Sequence, residues 1–137
     1  MKKKNKKNIL VDLSATLIHH GHIRLLKRAY KKFGNVIVAL TTDKEVLKKK
    51  GYKPELNFNE RKEILKSIIY VKKVIPSKWK ITDNFLYKNK IDIIVRGDDH
   101  KKDKFSIKHI IFPRTKNVSS SKIRKRAALI YLKRAKK

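Results

Sequence analysis

Short apolar runs alternate along the chain with longer segments in which apolar residues recur at helical spacing. The runs have the length of buried strands, which predicts strands at residues 9–13, 36–40, 70–75, 91–95 and 109–112. Strands separated by helices form parallel sheets, because a right-handed helical crossover returns the chain to the same edge. The pattern therefore predicts an α/β domain built on a parallel sheet.

The segments between the strands carry helix signals. Their predicted inner faces are Ile23, Leu26, Tyr30 and Phe33 before Gly34, then Ile64, Leu65 and Ile68 after a capping box at Asn57 and Glu60, and finally Ile123, Ala127 and Ile130 after Ser119. A further short helix is predicted at residues 83–88. Residues 43–54 are lysine-rich and contain Gly51 and Pro54, which predicts a mobile loop that could hold a short helix.

A length of 137 residues allows one domain with a substantial core. We expect a basic disordered tail at residues 1–7 and a single domain at residues 8–137. The chain has no cysteine, which excludes a disulfide scaffold, a thiolate metal site and a thiol nucleophile, and suits the cytoplasmic location that we expect. No apolar stretch approaches the length of a membrane span, so we expect no membrane partner.

The net charge of +28 comes from 39 basic and 11 acidic residues, and 31 of the basic residues are lysines spread over the whole chain. Dedicated nucleic-acid binders more often cluster their charge and use arginine. Diffuse lysine predicts attraction of anionic ligands, with salt-sensitive and non-specific adhesion to nucleic acid. A basic RNA-binding protein stays open as the alternative from another functional class.

The most informative polar segment is His19-His20-Gly21-His22, which lies between the first predicted strand and the first predicted helix. In α/β proteins the first amides of such a helix lie at the carboxyl edge of the sheet and bind phosphates. Histidines there can add positive charge and hydrogen-bond donors as charge develops on a transferring phosphoryl group. The spacing brings His19 and His22 to the same side of the turn.

Three polar clusters follow predicted strands, at residues 14–22, 96–100 and 114–121. In a parallel sheet the carboxyl ends of the strands share one edge, so these clusters should converge. Each cluster alone is a weak signal, and their convergence predicts a functional site.

The same residues resemble motifs of the nucleotidyltransferase superfamily. The histidine turn is similar to its HxGH signature, and residues 112–124 are similar to its carboxyl-terminal signature, an Arg-Thr pair before a serine-rich helix start. Segments 59–64, 70–76 and 96–99 fall between the two in matching order. The likeness covers residues 8–126 and is greatest to small bacterial cytidylyltransferases of the glycerol-3-phosphate cytidylyltransferase type.

This resemblance implies a Rossmann-like nucleotidyltransferase fold with about five parallel strands and helices on both faces. It implies transfer of a cytidylyl group from CTP to a small phosphorylated alcohol such as glycerol 3-phosphate, with release of pyrophosphate and with Mg²⁺ on the phosphates. A homodimer is also implied. An adenylyltransferase of the same superfamily stays open, because Ile69 stands where the family has an arginine that helps to hold the nucleotide.

The resemblance also assigns roles to individual residues. His19, His22 and Arg114 are expected to be catalytic, the histidines by stabilising the charge of the transition state. Binding roles are expected for Ser14, Gly21, Arg61, Asp99, Thr115 and Ser119 toward the nucleotide, and for Lys48 and Trp79 toward the acceptor.

The residues alone leave other roles open. His19 and His22 could form a polar helix start, or could bind a metal with Asp98, Asp99 and His100. Arg61 could be an exposed helix charge, serines 119–121 a simple cap, and Trp79 a cover for the sheet edge.

Overall fold

The computed structural model describes residues 7–98 and 103–135. Its strands are β1 (Ile9–Leu13), β2 (Val36–Thr41), β3 (Val71–Ser77), β4 (Ile93–Gly97) and β5 (Lys108–Phe112). Its helices are α1 (His20–Phe33), α2 (Asp43–Lys50), α3 (Phe58–Lys66), α4 (Asp83–Lys88) and α5 (Ser120–Ala135). The expected basic tail falls almost entirely outside the described residues.

The five strands form one parallel sheet in the order β3-β2-β1-β4-β5. The chain winds outward from β1 in one direction, to β2 and β3, and then crosses to β4 and β5 on the other side. A crevice opens at the carboxyl ends of β1 and β4, where the strand order reverses, and open α/β sheets bind ligands at such a point. The predicted α/β class with a parallel sheet is confirmed.

Two apolar cores cover the two faces of the sheet. One contains Leu26 of α1 and Leu65 of α3 against Ile9 and Val11, and the other contains Leu86 of α4 against Leu10. Successive residues of β1 alternate between the two cores because strand side chains point to opposite faces in turn. Helices therefore pack on both faces, which confirms the predicted architecture.

Residues 43–54 differ from the predicted mobile loop. Thr42 accepts a hydrogen bond from the backbone of Glu45 and begins α2, while Val46 is fully buried on the inner face. Gly51 ends α2 with a φ of 80°, a left-handed conformation that favours glycine. The short helix that the prediction left open is therefore present, and Val46 is the residue that it buries.

Two strand boundaries also differ from the prediction. β3 continues through Pro76 to Ser77, which an edge strand tolerates because an outward-facing proline removes no ladder hydrogen bond. β4 begins at Ile93 and continues through Arg96 to Gly97. Arg96 belongs to the predicted polar cluster at residues 96–100, so the strand is longer than the apolar run alone predicts. The buried pairing of Arg96, described below, explains this extension.

The prediction of which residues α3 and α5 bury is partly wrong. In α3 the buried residues are Arg61 and Leu65, and Ile64 is exposed. No residue of α5 is buried, and Ala127 and Ile130 both face solvent. Among the described residues, no helix has the length and apolar character needed to cross a membrane.

Candidate active site

An open groove of about 1180 Å³ lies at the carboxyl edge of the sheet. Its walls come from the ends of β1, β4 and β5, from α1 and from the start of α5. It brings together most of the predicted site residues, namely Ser14, His19, Gly21, His22, Trp79, Arg114, Thr115 and Ser119. The polar segments after β1 and β5 therefore converge as the parallel topology predicts.

His19 and His22 form a reciprocal cap at the start of α1. The backbone N–H of His19 donates to Nδ1 of His22 at 3.1 Å, and the backbone N–H of Gly21 donates to Nδ1 of His19 at 3.1 Å. The two rings stack with their centroids 3.8 Å apart. Because both Nδ1 atoms accept hydrogen bonds, each neutral ring carries its proton on Nε2, which is the donor it can offer to a ligand.

Gly21 allows this arrangement by having no side chain. A Cβ at this position would lie 2.9 Å from Cε1 of His19 and 3.1 Å from Cγ1 of Val118. Neither neighbour can retreat freely, since the imidazole is held by its hydrogen bond and Val118 belongs to the loop that leads into α5. Gly21 thus fixes the position of His19 through close packing.

Both imidazoles are neutral near pH 7. Burial, together with the neighbouring His19 and Arg114, lowers the pKa of His22 to about 3. Burial also lowers the pKa of His19, with added repulsion from His20 and Arg114. The two imidazoles are therefore neutral hydrogen-bond donors, and the expectation that they add positive charge as charge develops on a phosphoryl group stays a prediction.

Arg114 is a cation whose charge acts on both rings. It lies in the segment after β5 that continues through Thr115 to the start of α5, and both residues line the groove. Ser119 accepts a hydrogen bond from the backbone of Lys122, so it caps α5 while it also lines the groove. Capping and ligand binding at this serine are compatible.

Arg61 does not reach the groove, contrary to its expected role in nucleotide binding. It is fully buried, and its guanidinium donates to the carbonyl oxygens of Ser14, Thr41 and Leu56 and forms an ion pair with Asp43. Arg61 donates a 2.6 Å hydrogen bond to the carbonyl of Ser14, which directly follows β1. Through this bond it positions the chain at the end of β1. Its contribution to the site is structural.

The acceptor-side predictions are only partly matched. Trp79 and Lys50 line the groove, whereas Lys48 is not among its lining residues. The Lys50 ammonium lies 5.6 Å from the centre of the Trp79 ring, and Glu45 accepts a hydrogen bond from the backbone of Trp79. Asp99 lies outside the described residues, and Asp98 is half-buried at the end of β4.

An ion-pair cluster that the sequence did not reveal supports the same edge. Arg96 is buried and binds both carboxylate oxygens of Asp12, at 2.9 and 2.7 Å, and it also pairs with Asp103. Burial alone would lower the pKa of Arg96, but the two carboxylates outweigh it and raise that pKa. The sequence signal for this pair was weak: Asp12 and Arg96 are opposite charges next to apolar strand residues. They become neighbours because Val11 and Val95, the residues immediately before them, are register partners.

The described residues form no metal site, and Asp99 and His100, two ligands of the metal hypothesis, lie outside them. Among residues 7–98 and 103–135, no group of three or more His, Asp or Glu side chains lies close enough to hold a metal ion. The carboxylate of Asp12 lines the groove, but Arg96 binds both of its oxygens. The metal hypothesis for His19 and His22 thus finds no third ligand in the described part of the chain.

Comparison with known proteins agrees with this geometry. The sequence model of the family described as Cytidylyltransferase-like matches residues 15–126. The chain belongs to this cytidylyltransferase-like family. As a member of it, the protein is a nucleotidyltransferase enzyme whose substrates are a nucleoside triphosphate and a phosphorylated acceptor.

Individual relatives of this cytidylyltransferase-like protein match over nearly their full length. A glycerol-3-phosphate cytidylyltransferase of Bacillus subtilis is 34% identical over 129 residues, which cover 89% of this chain and 98% of the relative. One of Staphylococcus aureus is 35% identical, covering 86% and 92%. An FAD synthase of Thermococcus sibiricus is 30% identical, covering 90% and 83%.

A solved structure shares the fold. The crystal structure of a lipopolysaccharide core biosynthesis protein from Thermoplasma volcanium superposes with a TM-score of 0.70, covering 81% of this chain and 99% of the other at 20% sequence identity. The likeness confirms the expected fold, a five-stranded parallel sheet with helices on both faces.

Proposed function

We propose that the protein transfers a cytidylyl group from CTP to a small phosphorylated alcohol such as glycerol 3-phosphate and releases pyrophosphate. The observation that carries this proposal is the meeting of His19, His22 and Arg114 in one groove at the reversal point of a parallel sheet. The names of the Bacillus and Staphylococcus relatives, glycerol-3-phosphate cytidylyltransferase, support the choice of donor and acceptor.

In the proposed reaction, an oxygen of the acceptor phosphate attacks the α-phosphorus of CTP. A new phosphorus–oxygen bond forms while the bond between the α-phosphorus and the bridging oxygen breaks, and pyrophosphate leaves with that bond's electron pair. Such a transfer needs positioning and charge stabilisation more than covalent chemistry. The Nε2–H groups of His19 and His22 would donate to the phosphate oxygens, and Arg114 would supply the positive charge.

Neutral imidazoles suit this role. A donor fixed before the substrate arrives needs no reorganisation as negative charge develops, and it keeps its proton throughout the step. The backbone amides that bind each Nδ1 also fix the orientation of each ring. Mg²⁺ would enter as part of the triphosphate substrate, since magnesium readily uses phosphate oxygens and water as ligands.

Adenylyl transfer is the second candidate. The family resemblance implies an arginine that helps to hold the nucleotide at the position of Ile69, which is apolar and 84% exposed here. Loss of a charged contact weakens selection of one nucleotide without affecting the histidines. The remaining selectivity would then come from the groove walls.

A pyrophosphate-release assay tests the proposal directly. CTP, ATP, GTP and UTP are each supplied with Mg²⁺ and a panel of phosphorylated polyols and amino alcohols, and CTP and ATP are then mixed at equal concentration. We expect release with CTP and a phosphorylated polyol, and a cytidine product from the mixture. An adenosine product would favour the second candidate, and no release with any pair would contradict both.

A further inference from the structure

Arg124 joins three separate segments around the groove. It lies in the second turn of α5, and its guanidinium binds both carboxylate oxygens of Glu55, in the segment between α2 and α3. It also donates to Oγ1 of Thr16, between β1 and α1, at 3.1 Å. Its Cζ lies 4.8 Å from the centre of the Tyr52 ring. One side chain therefore connects the segment that leads to the histidines, the segment after α2 and the start of α5.

We propose that Arg124 and Glu55 form a positioning pair, which holds the start of α5 against the histidine turn so that the two sides of the groove bind one triphosphate together. This inference deepens the proposed nucleotidyl transfer and rests on it. Arg124 and Glu55 do not line the groove, so they act through the segments they hold and not by contact with a substrate.

The start of α5 depends on polar contacts for its position. Most helices are placed by the burial of an apolar face, but none of the residues of α5 is buried. Ser120 donates to the carbonyl oxygen of Leu17 at 2.9 Å, and Arg124 adds its bonds to Thr16 and Glu55. Serines 119–121 all line the groove. Without Arg124, the bond from Ser120 would hold these serines in place almost alone.

The segment that Arg124 reaches is strained. Ala15 is buried and has a φ of 43°, a left-handed conformation that is unfavourable for a residue with a Cβ. Such a conformation persists only where the surrounding contacts hold it. Arg61 donates to the carbonyl oxygen of Ser14 on one side of Ala15, and Arg124 donates to the hydroxyl of Thr16 on the other. Loss of the Arg124 bond would therefore loosen the segment that leads into α1.

The pair has the geometry of a fixed contact. An ordinary surface ion pair contributes little, because solvent screens it and both side chains stay mobile. The side chains of Arg124 and Glu55 are only 30% and 34% exposed, and two N–H groups of one guanidinium meet the two oxygens of one carboxylate. The hydrogen bond from Arg124 lowers the pKa of Glu55, which keeps the carboxylate ionised. A lysine could not make both bonds and also reach Thr16.

The test measures KM for each substrate separately, by pyrophosphate release with Mg²⁺, CTP and glycerol 3-phosphate, with ATP in place of CTP if ATP is the donor that reacts. The variants are Arg124→Gln and Glu55→Gln, singly and together, with Arg124→Lys as the conservative change. The matched control is Arg126→Gln, which removes the same charge from an exposed position of α5 outside the groove lining. Circular dichroism melting checks that each variant is folded.

We expect Arg124→Gln to raise KM for the triphosphate about tenfold or more, with a smaller loss in kcat, and to change KM for glycerol 3-phosphate by no more than about twofold. Glu55→Gln should act in the same direction. The double variant should be no worse than Arg124→Gln alone, because the two residues act as a unit. Arg124→Lys should recover part of the loss, and Arg126→Gln should keep the wild-type KM.

An unchanged KM for the triphosphate in folded Arg124→Gln overturns the inference and leaves the proposed function intact. An equal rise in Arg126→Gln does the same, since it would show a general effect of charge, and so does an equal rise in KM for both substrates. If Arg124→Gln does not fold, Glu55→Gln decides by the same measurements. No release by the wild type with any triphosphate and acceptor overturns the proposed function and the inference with it.

Discussion

The backbone N–H of His19 donates a hydrogen bond to Nδ1 of His22 at 3.1 Å. This bond, with its partner from Gly21 to His19, makes each catalytic imidazole part of the helix cap. The residues proposed for catalysis therefore also carry out the N-terminal capping of α1. The proposed chemistry and the local folding are therefore coupled at this turn.

The depressed pKa of His22 makes stability depend on pH. The pKa of His22 is about 3 in the folded protein, against the ordinary histidine value of 6.5 in the unfolded chain. Below pH 6.5 the unfolded chain therefore binds a proton that the folded chain does not. Stability should therefore fall as pH decreases from 6.5 toward 3. Between pH 6.5 and about 5, His22 alone should lower the free energy of unfolding by roughly 1–2 kcal/mol, since one pKa unit corresponds to ~1.4 kcal/mol.

Urea denaturation at pH 6.5 and near pH 5 measures this effect. The variant His22→Asn keeps a hydrogen-bond acceptor beside the backbone of His19 but cannot titrate. We expect its stability to vary less with pH than that of the wild type. An equal loss in both proteins would show that His22 does not resist protonation when folded.

The close contact at Gly21 predicts a large effect from one methyl group. Gly21→Ala should displace His19, because the new Cβ would approach Cε1 to 2.9 Å. We expect kcat to fall by about 10²-fold, the usual loss when one oxyanion-type donor is misplaced. A thermal melt serves as the control, since alanine favours a helix interior and should largely preserve the fold. Full activity in Gly21→Ala would contradict the packing argument.

Arg61 should behave as a structural residue. Arg61→Met leaves the carbonyl oxygens of Ser14 and Thr41 without a buried donor and leaves Asp43 without its cation. We expect the free energy of unfolding to fall by about 3 kcal/mol or more. A variant with unchanged stability but weaker nucleotide binding would restore the sequence-based role for this arginine.

Lys50 and Lys48 form a matched pair for testing the groove. Both are exposed lysines in the last turn of α2, but Lys50 alone of the two lines the groove. We expect Lys50→Ala to raise KM for a substrate severalfold, and Lys48→Ala to leave KM and kcat unchanged. Steady-state kinetics at constant ionic strength makes the comparison. Equal effects of the two changes would indicate only a general loss of positive charge.

Local patterns predicted the strands and the histidine turn, because a buried strand and a helix start are encoded by neighbouring residues. The roles of Arg61 and Arg96 were not predictable in this way. Arg61 reaches the carbonyl of Ser14 across 47 positions, and Arg96 reaches Asp12 across 84. Such pairs are set by sheet topology, which becomes specific only when the register of β1 and β4 is known.

Helical phase explains the remaining differences. On α3 the inward position falls on Arg61 and Leu65, so Ile64 is turned outward although it is apolar. On α2, Lys50 lines the groove and Lys48, two residues earlier, does not. A one-residue error in phase moves a side chain by about 100°, which spacing alone cannot resolve for short helices.

The most direct test of the account is pyrophosphate release from CTP and a phosphorylated polyol by the wild type and by His22→Ala. The account predicts steady release by the wild type and a loss of about 10²-fold or more in kcat for the variant, with the fold retained by circular dichroism. Release at the wild-type rate by a folded His22→Ala protein would contradict the assignment of phosphate chemistry to this histidine turn.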